Sequence, residues 1–334
     1  MRDPVTGFIY PKGWVEKVTD PQSLTLVEQG FAVLTASGTI LRRGFTTGTT
    51  AAAACKASIL SLSGTVSQVT VKLPCGLETN LPVSARDGWA SLRKYAGDYP
   101  SDVTAGIEFF ADAVINENGL TLVPGSGIGR FVRDTPRYPK GAPAISEIPL
   151  ACILTSMQEA LRDTGLTGAS VTLSIPEGER IAKKTLNPRI GIEGGISVLG
   201  STGLVEPWDD HLEESVLTRI TAASRVVITT GRIGLRYARL LFPDSEVVLS
   251  GGRIGEALSV AKGDVILCGL PALLLKYIEP HILDGTGYET VEELAASADF
   301  LQVADPILAA YRKKHPQIRV VLVNRDGKVI VESP

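Results

Sequence analysis

Hydrophobic and polar positions along the chain change rhythm once, near Pro207. Before it, runs suited to strands, "QVTVKL" (Gln68–Leu73), "GWASLRKYA" (Gly88–Ala96), "GLTLVP" (Gly119–Pro124) and "SVTLSIP" (Ser170–Pro176), mix with alanine-rich helix candidates at Thr49–Leu62 and Pro149–Leu161. Strands and helices do not alternate strictly there, which predicts an α+β arrangement. After Pro207, a helix at Asp210–Ala223 leads into "RVVITTG" (Arg225–Gly231), a helix from about Ile233 to Leu241, "SEVVLSGG" (Ser245–Gly252), a helix from about Ile254 to Ala261, and "DVILCGLP" (Asp264–Pro271). Strand, glycine and helix in repeated succession predict a parallel sheet with crossover helices, an α/β Rossmann-like domain. Helices near Val291–Ala296 and Asp305–Lys314 follow, then a terminal hairpin around the Arg-Asp-Gly turn of "IRVVLVNRDGKVIVES". Two domains are expected, 1–209 and 210–334, in keeping with 334 residues.

Composition narrows the function. Hydrophobic residues make up 44% and charged ones 21%, which is globular composition. A net charge of −3 without a Lys/Arg-rich run argues against nucleic acid as a partner. No uncharged apolar run reaches the ~20 residues of a membrane span, and the N-terminus lacks the apolar core of a signal peptide. A cytoplasmic protein with no membrane partner is therefore expected. Cys55, Cys75, Cys152 and Cys268 are widely separated, which predicts reduced and mostly buried thiols. His211, His281 and His315 are not spaced as a metal pair, so no protein-held metal is expected.

Four stretches carry candidate chemistry. In "LRRGFTTGTTAAAACKA" (Leu41–Ala57), Thr49 reads as a helix N-cap with Ala51–Ala54 as the first turns. A helix start offers unpaired N–H donors and about half a positive charge, which suits a carboxylate or phosphate. Capping threonines and close-packed alanines without any ligand fit the same residues. Gly191, Gly194, Gly195, Gly200 and Gly203, with Ser197, Ser201 and Thr202, read as a ligand loop or as a turn-rich connector. Glu206 and Asp209 follow, as a general base or as helix caps, capping being the better reading for Asp209. "TTGRIG" (Thr229–Gly234) and "LSGGRIG" (Leu249–Gly255) each end a strand and open a helix without matching G-x-G-x-x-G. With "CGLP" (Cys268–Pro271) they line the crevice expected outside the carboxyl ends of a parallel sheet. "GSGIGRFVRDTPRYPKG" (Gly125–Gly141) sets Arg130, Arg133, Arg137 and Lys140 against Asp134, as an anion-attracting loop or a solvated one.

Leu41–Ala57, "AGDYPSDVT" (Ala96–Thr104), "GSGIGR" (Gly125–Arg130), "KGAPAISEIP" (Lys140–Pro149) and "TLNPRIGIEGGISVLGSTGLVEP" (Thr185–Pro207) together resemble the cobalt-precorrin-5B carbon-1 methyltransferase family of cobalamin biosynthesis, CbiD. The resemblance implies S-adenosylmethionine-dependent methylation of ring carbon 1 of cobalt-precorrin-5B, giving cobalt-precorrin-6A, with cobalt present only within the corrinoid substrate. It also implies an α+β first domain similar to domain 2 of ribosomal protein S5, followed by a Rossmann-like domain. Arg43, Thr46, Thr47, Gly48, Thr49, Arg130, Gly194, Gly195, Ser201, Thr202 and Gly203 are then expected at the corrinoid. Thr230, Gly231, Gly234, Gly251, Gly252 and Gly269 are expected at the methyl donor, and Glu206 at proton loss or substrate orientation. The pattern departs at Thr50, where the family often has Cys, and at Leu150, where an arginine is lost. The late "GH-x-GK" and "TH" patterns are not evident in Cys268–Glu289. A divergent relative acting on another tetrapyrrole, a carrier of corrinoid intermediates, and a homodimeric assembly remain open at this point. A nicotinamide-dependent reductase is disfavoured by the missing glycine fingerprint.

Overall fold

The structure, a computed structural model, describes residues 1–99, 102–207 and 216–334. The expected helix start at 210–215, Asp209, and residues 100–101 of the Ala96–Thr104 segment lie outside the described residues. The chain divides into two units, Gly30–Val33 with Leu41–Asp209, and Met1–Gln29 with Leu34–Ile40 and Asp210–Pro334.

In the first unit, strict alternation makes the sheet. In β2 (Glu78–Arg86), Thr79, Leu81, Val83 and Ala85 point inward while Glu78, Asn80, Pro82, Ser84 and Arg86 are exposed. It pairs antiparallel with β1 (Val66–Lys72) and with β3 (Trp89–Arg93). The β2–β3 turn is Asp87–Gly88, both with positive φ, at +52° and +85°, the conformation a two-residue hairpin needs. With β4 (Glu108–Ile115), β5 (Leu120–Pro124) and β6 (Ala169–Ser174), the order is β1-β2-β3-β4-β6-β5. Only the β6–β5 pair is parallel. Helix α1 (Thr47–Leu60) packs against this sheet and against α2 (Glu147–Thr164). Ala51, Ala52, Ala53, Ala54 and Ala57 are all fully buried, since a helix with no polar face belongs inside. The alanines thus bring α1 close to its neighbours and leave no backbone open to a ligand.

In the second unit, β7 (Arg225–Thr229), β8 (Glu246–Leu249), β9 (Asp264–Gly269) and β10 (Ile318–Val323) are parallel neighbours, and β11 (Val329–Glu332) closes the edge antiparallel. The order is β8-β7-β9-β10-β11. Helices α3 (Val216–Ala222), α4 (Arg232–Leu241), α5 (Ile254–Val260), α6 (Pro271–Ile278), α7 (Val291–Ala296) and α8 (Phe300–Lys314) connect them. Val226, Ile228, Val265, Leu267 and Val320 of the sheet form a core with Leu274 and Leu308 of the helices. Helix α8 begins before the expected Asp305 and runs through Pro306, whose exposed position in the second turn tolerates the lost N–H. Helix α6 was not expected from the sequence. None of the described helices is long and apolar enough to cross a membrane.

The expectation for 1–209 differs from the structure at its N-terminal end. Phe8 packs on Tyr10, Trp14 and the α4 residue Tyr237, with ring centroids 5.2, 5.8 and 5.5 Å apart. Met1–Gln29 and Leu34–Ile40 accordingly cluster with the C-terminal residues. The sequence missed this because an aromatic cluster across some 220 positions leaves no local periodicity.

Candidate functional site

The five segments that are far apart in sequence are tied into one cluster within the first unit. Gly44–Phe45 pairs antiparallel with Leu204–Val205, in the register Val205 opposite Gly44. On its other flank, Phe45 N donates to Tyr95 O at 2.8 Å, and Arg42 N donates to Asp98 Oδ2 at 2.7 Å. Gly127–Ile128 runs parallel to Gly195–Ile196, and Arg130–Phe131 antiparallel to Ile192–Glu193. Ala144 N donates to Gly129 O at 2.7 Å, and Ser146 N to Val198 O at 3.0 Å. The glycines make this crossing feasible. A side chain at Gly127, where φ is +74°, would run into the Ile175 carbonyl, and one at Gly195 would run into the carbonyl of Gly127.

The threonines fasten the start of α1 to the loop at 197–203. The N-cap is Thr46, not Thr49: its Oγ1 accepts from Thr49 N at 3.2 Å. Thr46 N donates to Gly203 O, and Gly48 N to Leu199 O, each at 3.1 Å. Thr47 Oγ1 donates to Ser197 O at 3.1 Å and accepts from Leu199 N at 2.9 Å, while Thr49 Oγ1 donates to Gly203 O at 2.7 Å. Gly48 faces Pro149, and a side chain at Gly200 would meet Thr46 at 2.5 Å. Thr46, Thr47, Gly48 and Thr49 are therefore buried, with the threonine hydroxyls spent on this joint. Gly203 is buried against Pro74 and Thr49, and Thr202 is half-buried. Gly194, Ser201 and Arg130 are exposed, with Arg130 Nη1 donating to Gly141 O at 2.9 Å.

Arg43 sits in the middle of the cluster and does not reach the surface. Its side chain is 0% exposed and donates to Gly30 O at 3.0 Å, to Ala32 O at 3.4 Å and to Glu206 Oε2 at 3.3 Å. Glu206 is brought opposite it by the Val205–Gly44 register and keeps 23% of its side chain exposed. One carboxylate oxygen is anchored, and Oε1 has no protein partner among the described residues.

A second ion pair escaped the sequence reading. Lys94 and Asp102 form a direct pair with side chains 2% and 8% exposed. Asp102 also accepts from Thr104 N at 2.9 Å and Thr104 Oγ1 at 2.5 Å. Burial pushes the Asp102 carboxyl up, yet the Lys94 charge and these hydrogen bonds outweigh it and hold it below its ordinary value. Burial lowers the Lys94 ammonium despite the attraction of Asp102. The signal available was that Asp102 and Thr104 both fall in the "AGDYPSDVT" stretch.

In the second unit, strand order reverses between β7 and β9, the switch point at which open parallel sheets bind ligands. Thr230 and Gly231 lie at the end of β7, Gly269 at the end of β9, and Gly251 and Gly252 follow β8. Gly231, Gly251 and Gly252 border open space. Gly234, by contrast, brings α4 onto β9, where a side chain would meet Gly269 Cα at 3.0 Å. Gly231 caps α4 without a side-chain hydrogen bond, leaving first-turn N–H groups uncapped. Thr229, fully buried at the same strand end, has an Oγ1 without a hydrogen-bond partner.

Comparison with known proteins gives consistent results. Residues 34–207 match the family model described as CbiD. Over its whole length the chain is 74% identical to a Methanoregula boonei protein named cobalt-precorrin-5B C(1)-methyltransferase, also matched end to end. A Methanoculleus marisnigri protein of the same name is 55% identical, again over 100% of both chains. The 1.9 Å crystal structure of the cobalamin biosynthesis protein cbiD from Archaeoglobus fulgidus superposes with a TM-score of 0.57 at 38% identity, covering 83% of this chain and 92% of that one. The matches to the two full-length relatives also extend over the C-terminal residues, where the family patterns were not evident.

Proposed function

The chain belongs to the CbiD family, and we infer that it is the enzyme that methylates carbon 1 of cobalt-precorrin-5B, with S-adenosylmethionine as methyl donor. The observation that carries this reading is the end-to-end identity to relatives bearing that one name. The topology supports an S5-like first domain and a Rossmann-like second one.

Bound S-adenosylmethionine supplies an electrophilic methyl group on a sulfonium. The orphaned Thr229 hydroxyl, the uncapped start of α4 and the open backbone at Gly231, Gly251 and Gly252 fit a polar ligand of this kind. The chain's task is alignment and exclusion of water, since a one-step displacement needs no protein nucleophile. In the first unit, Glu206 is the group we assign to substrate orientation or to accepting the released proton. Arg43 is a positioning residue: it fixes one oxygen of that carboxylate, and the other has no partner among the described residues. Thr46, Thr47 and Thr49 act one step further back, by holding the loop at 197–203 that leads into Glu206.

The test is calorimetric titration with S-adenosylmethionine and its demethylated product, with NADPH as control, followed by incubation with cobalt-precorrin-5B and mass analysis. Binding of both adenosyl ligands and gain of one methyl group at carbon 1 are expected. A protein that retains cobalt-precorrin-5B unmethylated in the presence of the donor is a carrier, and the reading fails. Unchanged turnover in Glu206→Gln removes Glu206 from its role.

A further inference from the structure

Many exposed cations of this chain stand beside an acid: Arg93 beside Glu108, Arg319 beside Glu332, Arg325 beside Glu292. One lobe of the first unit departs from this habit. The hairpin 130–141 and the turn 183–191 are laced together, with Phe131 opposite Ile192 and Val132 N donating to Gly191 O at 3.0 Å. The Arg133 side chain lies over Gly191, where an added Cβ would be 3.0 Å from its Nε. On these two stretches Arg133, Arg137, Lys140, Lys183, Lys184 and Arg189 are all exposed, and none forms an ion pair among the described residues. The nearby acids do little to offset them. Asp134 is occupied by the backbone N–H of Lys140 at 2.8 Å, and Glu193 faces Arg130 across the strand pair.

The lobe is not only charged. Ile190, Val132 and Leu186 are 51%, 38% and 37% exposed between the cations. Phe131 and Tyr138 stack on each other, with centroids 4.8 Å apart and planes 6° from parallel. A small anion has no use for the apolar side chains. Nucleic acid wants aromatic faces that are free to take bases, and here the two rings already cover each other. A flat apolar body rimmed with carboxylates matches both features, because carboxylates need charge-assisted donors and the ring system needs apolar contact.

We propose that this lobe gathers the carboxylate arms of the corrinoid, with Arg133, Arg137, Lys183, Lys184 and Arg189 as substrate-binding residues. The proposal rests on the corrinoid reading above and adds to it where on the protein the arms are held. Unpaired, solvated cations on a chain of net negative charge draw in a polyanion and set its orientation before closer contacts form.

The test uses full-length protein and two fluorescent probes, the octacarboxylate porphyrin uroporphyrin and the tetracarboxylate coproporphyrin, each titrated at low and high salt. A deoxythymidine oligonucleotide is the third ligand. Uroporphyrin is expected to bind more tightly than coproporphyrin and to weaken with salt. Arg133→Ala/Arg137→Ala and Lys183→Ala/Lys184→Ala should each weaken uroporphyrin binding about tenfold, a modest share of several charge-assisted contacts. Their melting temperatures should change little, since none of these side chains forms an ion pair among the described residues and only Arg133 rests on a neighbour, Gly191. If both variants bind uroporphyrin like the wild type while the wild type methylates cobalt-precorrin-5B, the lobe is overturned and the enzyme reading survives. If the wild type neither methylates nor binds a tetrapyrrole, the enzyme reading falls and takes the lobe with it. An oligonucleotide that binds more tightly than uroporphyrin assigns the lobe to nucleic acid and overturns the proposal.

Discussion

Replacing Arg43 by Met separates a guanidinium that holds the fold from one that holds a ligand. Methionine keeps the apolar stem and removes the donors. Two carbonyls, Gly30 O and Ala32 O, then lose their partner at a site where the arginine side chain is 0% exposed. Each buried group left unsatisfied costs about 1–3 kcal/mol. Glu206 also loses its counter-charge. Because 23% of its side chain meets solvent, its share stays below the ~3–5 kcal/mol of a fully buried broken pair. A total of about 3–6 kcal/mol follows, which lowers the melting temperature by about 6–24 °C for a unit of this size. Glu206→Gln keeps an acceptor for Arg43 and should cost under ~1 kcal/mol by the same reasoning. Thermal unfolding followed by circular dichroism, with Arg43→Met, Glu206→Gln and the double variant, gives the coupling between the two residues. An Arg43→Met protein that melts within ~2 °C of wild type yet no longer binds a corrinoid refutes the argument, because the guanidinium would then contact substrate.

Asp102→Asn should cost about 3–5 kcal/mol at neutral pH by leaving the Lys94 ammonium buried without its charge partner. The folded-state carboxyl lies below its ordinary 3.8, so its stabilisation is present above that pH and is lost as pH falls through the lowered value. Denaturant titrations between pH 6 and pH 3 should therefore show an acid limb, flattened in the variant, and an unaltered limb contradicts the assignment. Gly127→Ala should prevent recovery of folded protein, whereas Gly194→Ala, with open space around it but φ at +75°, should cost only about 1 kcal/mol by denaturant melt. Equal losses would contradict the crossing-strand account. Iodoacetamide should alkylate Cys75 and Cys152 before the buried Cys55 and Cys268, whose thiols burial pushes up, that of Cys268 to about 12. Peptide mapping that finds Cys268 labelled first would count against this packing.

The second unit was legible because each strand, glycine and helix is a local pattern, and boundaries such as Val291–Ala296 follow from it directly, with Thr290 and Glu293 forming a capping box. The first unit was legible in class more than in detail. Strand β2 was obscured by Pro82, which the sheet tolerates where β3 covers only Ser84–Arg86 and the opposite strand shifts register. Asp87–Gly88 nevertheless carried a hairpin signal that was open to reading. Four threonines around one glycine pointed to Thr49 as the N-cap in place of Thr46, since the start of the helix is set by Gly203 and Leu199, which lie over 150 positions away. The partner of Arg43 lies 163 residues further on, beyond any spacing rule. What makes a helix start look like an anion site and what makes it a structural joint are the same residue types. Only the partners distinguish the two.

The aromatic knot of Phe8, Trp14 and Tyr237 has a consequence for synthesis. A ribosome releases Trp14 more than two hundred codons before Tyr237, and at about 5–20 residues per second the wait is on the order of ten to forty seconds. During that interval the first unit can complete its own core while the leading segment hangs without its counterpart. Residues 1–29 are thus made long before the rest of the unit they pack with, and a gene cut at residue 210 to make that unit alone discards the aromatic residues that cover Tyr237.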